Sequence, residues 1–529
     1  MPHFPPVVFA IAFAALVVAL SALARRLPIP TPVLQLLAGL AIGLTTAMKV
    51  PDLDPDLVFF VFLPPILWSA AMFTSPREFR RNIGPISLLA IGLVLVTAAA
   101  VAIAAHALMP GLPWAAAVAV GAIISPPDAV AATAIVSRLP VPRRVITVLE
   151  GESLVNDATA LVLYRTAVSA AVVGTFSWGE SIVRFFIDAG IGVLVGLLVG
   201  WLIIRAACLT RDPLAETLLT LAGPYVAWLS AESLHVSAVL ACVAGGLHVQ
   251  QNLSIAVGPA ARLQIRTVWD LVVFLLNAMV FLLLGAQFGT LIGDLRGSTL
   301  MSVVRVGVII TLVAIVVRML WVPLITVLAR LTRDQRNHRR ADPRAIFLVS
   351  WTSMRGVVSL ATALGLPLVR NDGSPFPYRN EIILVTMVTI VITLFLQGLS
   401  LEPIIRRLKF EPEREHRDEE KLARREATRR GAEALEDLAR EPWADPRDVE
   451  ALRRETRERA RISDNHLGSP ASRRRLRLGM IAAERRMLIR LRDEGAISDE
   501  VLRNLEQELD LESIRVGAGE LDRSPVPST

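Results

Sequence analysis

Residues 149–160 read Leu149-Glu-Gly-Glu-Ser-Leu-Val-Asn-Asp-Ala-Thr-Ala160. Carboxylates, an amide and hydroxyls crowd into about three helical turns. The segment around them, 146–173, is otherwise apolar and long enough to span a bilayer, which takes about 20 residues. Ionisable groups at membrane depth are expensive and rare, so their presence points to function rather than packing. Three more apolar segments carry the other charged or broken stretches that matter most. Segment 114–137 contains Ala122-Ile-Ile-Ser-Pro-Pro-Asp-Ala-Val-Ala131. Segment 301–326 contains Arg305 and Arg318, and segment 345–367 contains Ser350-Trp-Thr-Ser-Met-Arg-Gly-Val-Val-Ser359.

The whole chain supports a membrane reading. Its 529 residues are 53% hydrophobic and 19% charged, with a mean hydropathy of +0.53. Residues 1–408 hold 29 Lys+Arg and 20 Asp+Glu, whereas residues 409–529 hold 26 and 28. The first part is too apolar for a soluble enzyme, and the second too charged to enter lipid. The net charge of +7 therefore does not mark a nucleic-acid binder. An all-α polytopic membrane domain over 1–408 and a charged, partly helical cytoplasmic tail over 409–529 are expected.

Thirteen spans are predicted: 7–24, 31–48, 57–73, 86–108, 114–137, 146–173, 182–204, 214–231, 236–250, 268–290, 301–326, 345–367 and 382–403. With the N-terminus outside, twenty arginines fall in inside loops. Lys49, Arg296, Arg370 and Arg379 are the basic residues outside. This bias sets the N-terminus out and the C-terminus in. The first span has no Lys or Arg before it, and Arg25 and Arg26 follow it. That suits a retained helix better than a signal peptide. Cys208 and Cys242 read as small core residues, not a disulfide framework.

Depth and spacing sort the polar residues. Asp157 lies ~17 Å along its helix and Asp128 ~21 Å along an unbroken one, so both reach the middle of a ~30 Å hydrocarbon core. Pro126 and Pro127 remove backbone donors and crowd the preceding turn. Segment 114–137 should therefore be two half-helices with an unwound centre whose freed carbonyls need a partner. Ser153 and Asp157 are four residues apart and share a helix face. They offer oxygens to a small hard cation. Glu152 and Asn156 share a neighbouring face. Glu152 is too costly to bury alone and should pair with Arg318 or Arg355, between which the sequence does not choose. Gly151 would permit close helix approach.

Residues Gly151 to Ala160 resemble the Asn-Asp helix of the monovalent cation:proton antiporter-1 family, the sodium/proton exchangers. Ser125-Pro-Pro-Asp-Ala-Val-Ala131 is similar to that family's broken-helix segment. Leu63-Pro-Pro-Ile-Leu67, Phe274-Leu-Leu-Asn-Ala-Met-Val-Phe-Leu-Leu-Leu-Gly285 and Met354-Arg-Gly-Val-Val-Ser-Leu360 also match, in the family's order. The resemblance covers roughly residues 5–408. It implies a homodimer of thirteen-span protomers with inverted repeats and broken crossing helices in the cell membrane. It also implies that Asp157 binds cation and proton with Asn156 as companion. Ser153 and the backbone carbonyl of Pro127 would be ion ligands, Asp128 a second core acid, and Glu152 a salt-bridged stabiliser. Two departures stand out. Pro127 replaces the family's threonine at the break, and Trp68-Ser69 follows the Pro-Pro-Ile-Leu run where many members carry a glutamate.

The expected activity is exchange of Na+, or of K+ or Li+, for a proton, with no cofactor and no enzymatic step. A K+/H+ antiporter of the same fold is the alternative. Burial disfavours a carboxylate's charge and a nearby cation favours it, so the two positive species compete for one site. Asn156 is neutral and no lysine lies in a span (Lys49, Lys409 and Lys421 are the complete set), so one-for-one electroneutral exchange is expected. A membrane aspartyl protease would need a Gly-x-Gly-Asp site, which neither Asp128 nor Asp157 has. A channel would need no carboxylate beside a double-proline break. In the tail, Asn465 to Pro470 separates two charged helical stretches, and Arg473-Arg474-Arg475 suits anionic lipid headgroups.

Overall fold

A computed structural model describes residues 6–24, 26, 27, 29–45, 55–128, 132, 133, 136, 139–173, 178–210, 212–294, 297–332, 342–410, 414–464, 470–494, 505, 508, 509, 511 and 512. Among them the regular structure is helical, with one isolated β-bridge between Val369 and Pro375. The chain packs as two units, Met1–Pro412 and Glu413–Thr529.

The first unit contains α1 (Pro6–Ala24), α2 (Thr31–Leu44), α3 (Pro55–Phe73), the short α4 (Pro76–Arg81) and α5 (Ile83–Leu108). It continues with α6 (Trp114–Ile124), α7 (Arg143–Val173), α8 (Trp178–Thr210), α9 (Pro213–Ser233) and α10 (Ala238–Ala256). Then come α11 (Pro259–Asp294), α12 (Gly297–Thr332), α13 (Pro343–Trp351), α14 (Val357–Leu364) and α15 (Arg379–Leu408). Helix starts follow local chemistry. Asp212 accepts from the Ala215 amide at 3.1 Å and Asp342 from the Arg344 amide at 2.9 Å, each with proline next in the chain. Every predicted span carries helix. Five helices among the described residues are by themselves long and apolar enough to cross a membrane. The polar helix α7 is not among them, because Glu150, Glu152 and Asp157 lower its hydropathy.

On the long helices a few polar residues are buried within an otherwise apolar core, while large apolar residues also face outward. On α15, Thr386, Thr389, Thr393 and Gln397 are buried while Leu396 and Leu399 are exposed. On α12, Thr311 and Arg318 are buried while Leu312, Val316 and Leu320 are exposed. Lipid around the bundle rewards this arrangement and water would reverse it. The same logic corrects the reading of the cysteines. Cys242 is buried, but Cys208 is exposed on α8, since an apolar side chain facing lipid needs no core. Helices α2 and α11 touch backbone to backbone, where a Cβ on Gly39 would overlap the Leu282 carbonyl and one on Gly285 the Leu36 carbonyl.

The second unit contains α16 (Arg414–Leu438), α17 (Pro446–Asp464) and α18 (Pro470–Asp493). Helices α16 and α17 pack together, and the Arg453 guanidinium donates to both Glu436 oxygens at 2.8 and 2.5 Å. This pairing holds the Glu436 carboxyl below its usual range. Residues 465–469, where the break between tail stretches was expected, lie outside the described residues, as do Lys49, Asp52, Asp54 and Arg296. The side chains of Arg473, Arg474 and Arg475 lie outside them too.

Candidate functional site

The site is built where two interrupted helices meet. Helix α6 stops at Ile124, and Ser125 through Asp128 are not helical, as the tandem prolines require. Helix α13 stops at Trp351 and α14 begins at Val357, leaving Thr352 to Gly356 as a second break. The breaks touch main chain to main chain: the Asp128 amide donates to the Met354 carbonyl at 2.7 Å. Residues 129–131, in the expected second half of the first crossing, lie outside the described residues, while Ala132, Thr133 and Val136 are helical.

Backbone groups freed by a break need partners, because lipid offers none. Helix α15 supplies them to the second break. The Ser353 amide donates to Gln397 Oε1 at 3.2 Å, and the Arg355 amide to Thr393 Oγ1 at 3.1 Å. The Arg355 side chain turns back on its own break, donating to the Ser353 carbonyl at 3.0 Å and hydroxyl at 2.9 Å. In the first break, the Pro127 carbonyl accepts from Asn156 Nδ2 at 2.9 Å. Asn156 is fully buried and ties α7 to that break. Gly356 lies at the crossing itself, where any Cβ would overlap the Asp128 carboxylate. That carboxylate thus sits at the N-terminal end of α14, where the helix dipole favours negative charge.

The arginine left open by the sequence is Arg318. Its Nη2 donates to Glu152 Oε2 at 2.8 Å, its Nη1 to Oε1, and its Nε to the Val349 carbonyl at 3.1 Å. Both side chains are buried, and the fork geometry satisfies the carboxylate from one side. The pair links α7 to α12 and α13. Gly151 lets α7 approach α5, since a Cβ there would stand 2.5 Å from Ile86 Cδ1.

Asp157 and Ser153, on one face of α7, line a cavity of about 40 Å³ with Asp128, Pro126, Gly356 and Ser359. Ile66, Leu67, Ala70, Leu154 and Val358 complete the wall. Such a volume accommodates two or three waters, or a small ion with part of its hydration shell. Of the two prolines, Pro126 lines the cavity, while the Pro127 carbonyl is turned to Asn156. Trp68 is fully buried, and the Ser69 hydroxyl donates to the Ile66 carbonyl at 3.0 Å. Oxygen ligands around a confined space bind small hard cations. A carboxylate in low dielectric is stabilised either by a cation beside it or by a proton on it.

Sequence reasoning missed Gly356, Ser359, Thr393 and Gln397. The last two carried a usable signal, being polar residues four apart in an apolar span. Gly356 and Ser359 acquire meaning only from what the fold places against them.

A family model described as the transmembrane region of sodium/hydrogen exchangers matches residues 11–407. An uncharacterized Na+/H+ exchanger of Mycobacterium tuberculosis is 36% identical over 523 residues, covering 96% of this chain and 95% of that protein. The sodium, potassium, lithium and rubidium/H+ antiporter of Bacillus subtilis is 33% identical over 388 residues, covering 71% and 58%. Among solved structures, the sodium proton antiporter MjNhaP1 from Methanocaldococcus jannaschii superposes with a TM-score of 0.59 at 21% identity, covering 77% of this chain and 99% of that one.

Proposed function

The chain belongs to the sodium/hydrogen exchanger family, and from that premise we propose that it exchanges Na+ for a proton across a cell membrane, with Asp157 serving both in alternation. The observation that carries this reading is the single cavity shared by Asp157, Ser153 and Asp128 beside two crossed helix breaks. A cation entering the cavity meets Asp157, Asp128 and the Ser153 hydroxyl. A proton on Asp157 removes the charge that holds the cation. Carrying the bare carboxylate across a dry barrier is prohibitive, so only the loaded or protonated site crosses and exchange is obligatory. Asn156 adds no charge, and the spans hold no lysine. One cation for one proton, without net charge movement, follows. The Glu152–Arg318 pair holds the loaded helix in place.

In this reading thirteen spans run from an outer N-terminus to a cytoplasmic C-terminus, in a homodimer embedded in the lipid of a bacterial plasma membrane. The residue 409–529 segment is its cytoplasmic tail. K+ and Li+ are further substrates to test, supported by the potassium and lithium in the name of the Bacillus subtilis relative and by the absence of a side-chain hydroxyl at Pro127.

The test uses purified protein in vesicles with an imposed pH gradient, adding Na+, Li+ and K+ in turn. Each transported cation should dissipate the gradient without generating a membrane potential. Asp157→Asn should reduce exchange at least 100-fold while the protein still inserts and migrates as wild type. Undiminished exchange in that variant would overturn the assignment.

A further inference from the structure

Beyond the residues already assigned, one further polar side chain lines the cavity, Ser359. It lies in the first turn of α14, is 1% exposed, and lines the same cavity as Asp157, Ser153 and Asp128. Its hydroxyl has no hydrogen-bond partner. The neighbouring hydroxyls behave differently. Ser350 donates to the Ile346 carbonyl at 2.8 Å, Thr352 to that of Leu348 at 2.8 Å, and Thr362 to that of Val358 at 2.7 Å. Ser353 Oγ accepts from Arg355 at 2.9 Å. Between residues 343 and 364, then, Ser359 is the one hydroxyl that the protein itself leaves unsatisfied. A buried hydroxyl without a partner is destabilising, and a protein retains one where something else fills the gap.

We propose that the Ser359 hydroxyl is a ligand of the transported cation, adding an oxygen from α14 to those of α7 and the first break. The inference rests on the transport reading given above. Neither Ser69 nor Pro127 is among the residues lining the cavity: Ser69 Oγ donates to the Ile66 carbonyl, and the Pro127 carbonyl accepts from Asn156. A cation held by α7 and the first break would lack a neutral oxygen from the second break, and Ser359 provides it. It also joins α14 to α7 through the ion. Loading the site then clamps the two crossed elements together, whereas a proton on Asp157 gives Ser359 no such bridge. Ser359 should therefore tune cation affinity rather than turnover.

The experiment compares wild type, Ser359→Ala, Ser359→Cys, Ser359→Thr and Asp157→Asn in vesicles at fixed pH, measuring KM and maximal rate for Na+ and for Li+. Ser359→Ala should raise KM for Na+ roughly three- to tenfold, the size of one neutral polar contact, with the maximal rate within twofold of wild type. Ser359→Thr keeps the hydroxyl and should restore KM. Should the alanine variant not accumulate, Ser359→Cys replaces oxygen by a softer sulfur at nearly constant volume and should give the same rise. An unchanged KM for both ions in the alanine or cysteine variant would overturn the proposal, as would a loss confined to the maximal rate. Asp157→Asn separates the two levels. If it exchanges normally, the transport reading itself fails. If it is inactive while the Ser359 variants bind normally, only the Ser359 assignment fails.

Discussion

At the scale of single residues, the crossing tolerates almost no extra volume. Gly356 is there because the Asp128 carboxylate occupies the space its side chain would need. The constraint is steric, since that space is already filled. Gly356→Ala must therefore push Asp128 away from α14 and strain the Asp128–Met354 hydrogen bond. The expected outcome is loss of most exchange activity and about 1–3 kcal/mol of stability, the range for overpacking. Vesicle transport and thermal unfolding in detergent check the two separately. Gly84, around which nothing lies within 4 Å, serves as the control glycine, and its alanine variant should change neither.

At the scale of elements, the Glu152–Arg318 pair fastens α7 to α12 and, through the Val349 carbonyl, to α13. Such a pair contributes little net stability over an apolar substitute, yet breaking it leaves a buried charge alone. Glu152→Gln and Arg318→Met should each cost about 3–5 kcal/mol, whereas the double variant should cost clearly less than their sum. A thermal-unfolding cycle over the four proteins measures that coupling. Additive losses would show that the two side chains do not act as a unit. Arg355 lies within electrostatic reach of this pair but directs its hydrogen bonds elsewhere. Its guanidinium supports its own break through Ser353.

For the whole molecule, the exposed leucines of α8 and α12 give an apolar core an apolar exterior as well, which suits lipid and not water. The proposed orientation, argued from the loop arginines, can be tested directly. In a chain with Cys208 and Cys242 replaced by serine, a cysteine at Gly373 should react with a membrane-impermeant reagent from outside intact cells. One at Gly431, in the charged tail, should react only after the cells are opened. Labelling of both positions from the same side would overturn the crossing of α15 between them.

Much of this protein is legible in its amino acids alone. Transfer of a segment into lipid depends on its own composition, so the apolar helices and the charged tail follow from local content. Helical phase is also local, and it places Ser153 with Asp157 and Glu152 with Asn156. Tandem prolines break a helix wherever it packs. Tertiary structure decided the rest, because it depends on which faces of distant helices meet. Only packing chooses Arg318 over Arg355, turns the Pro127 carbonyl to Asn156, and brings Met354 against Asp128. It also gathers Ser359 into the cavity of Asp157, from more than 200 residues away in the chain.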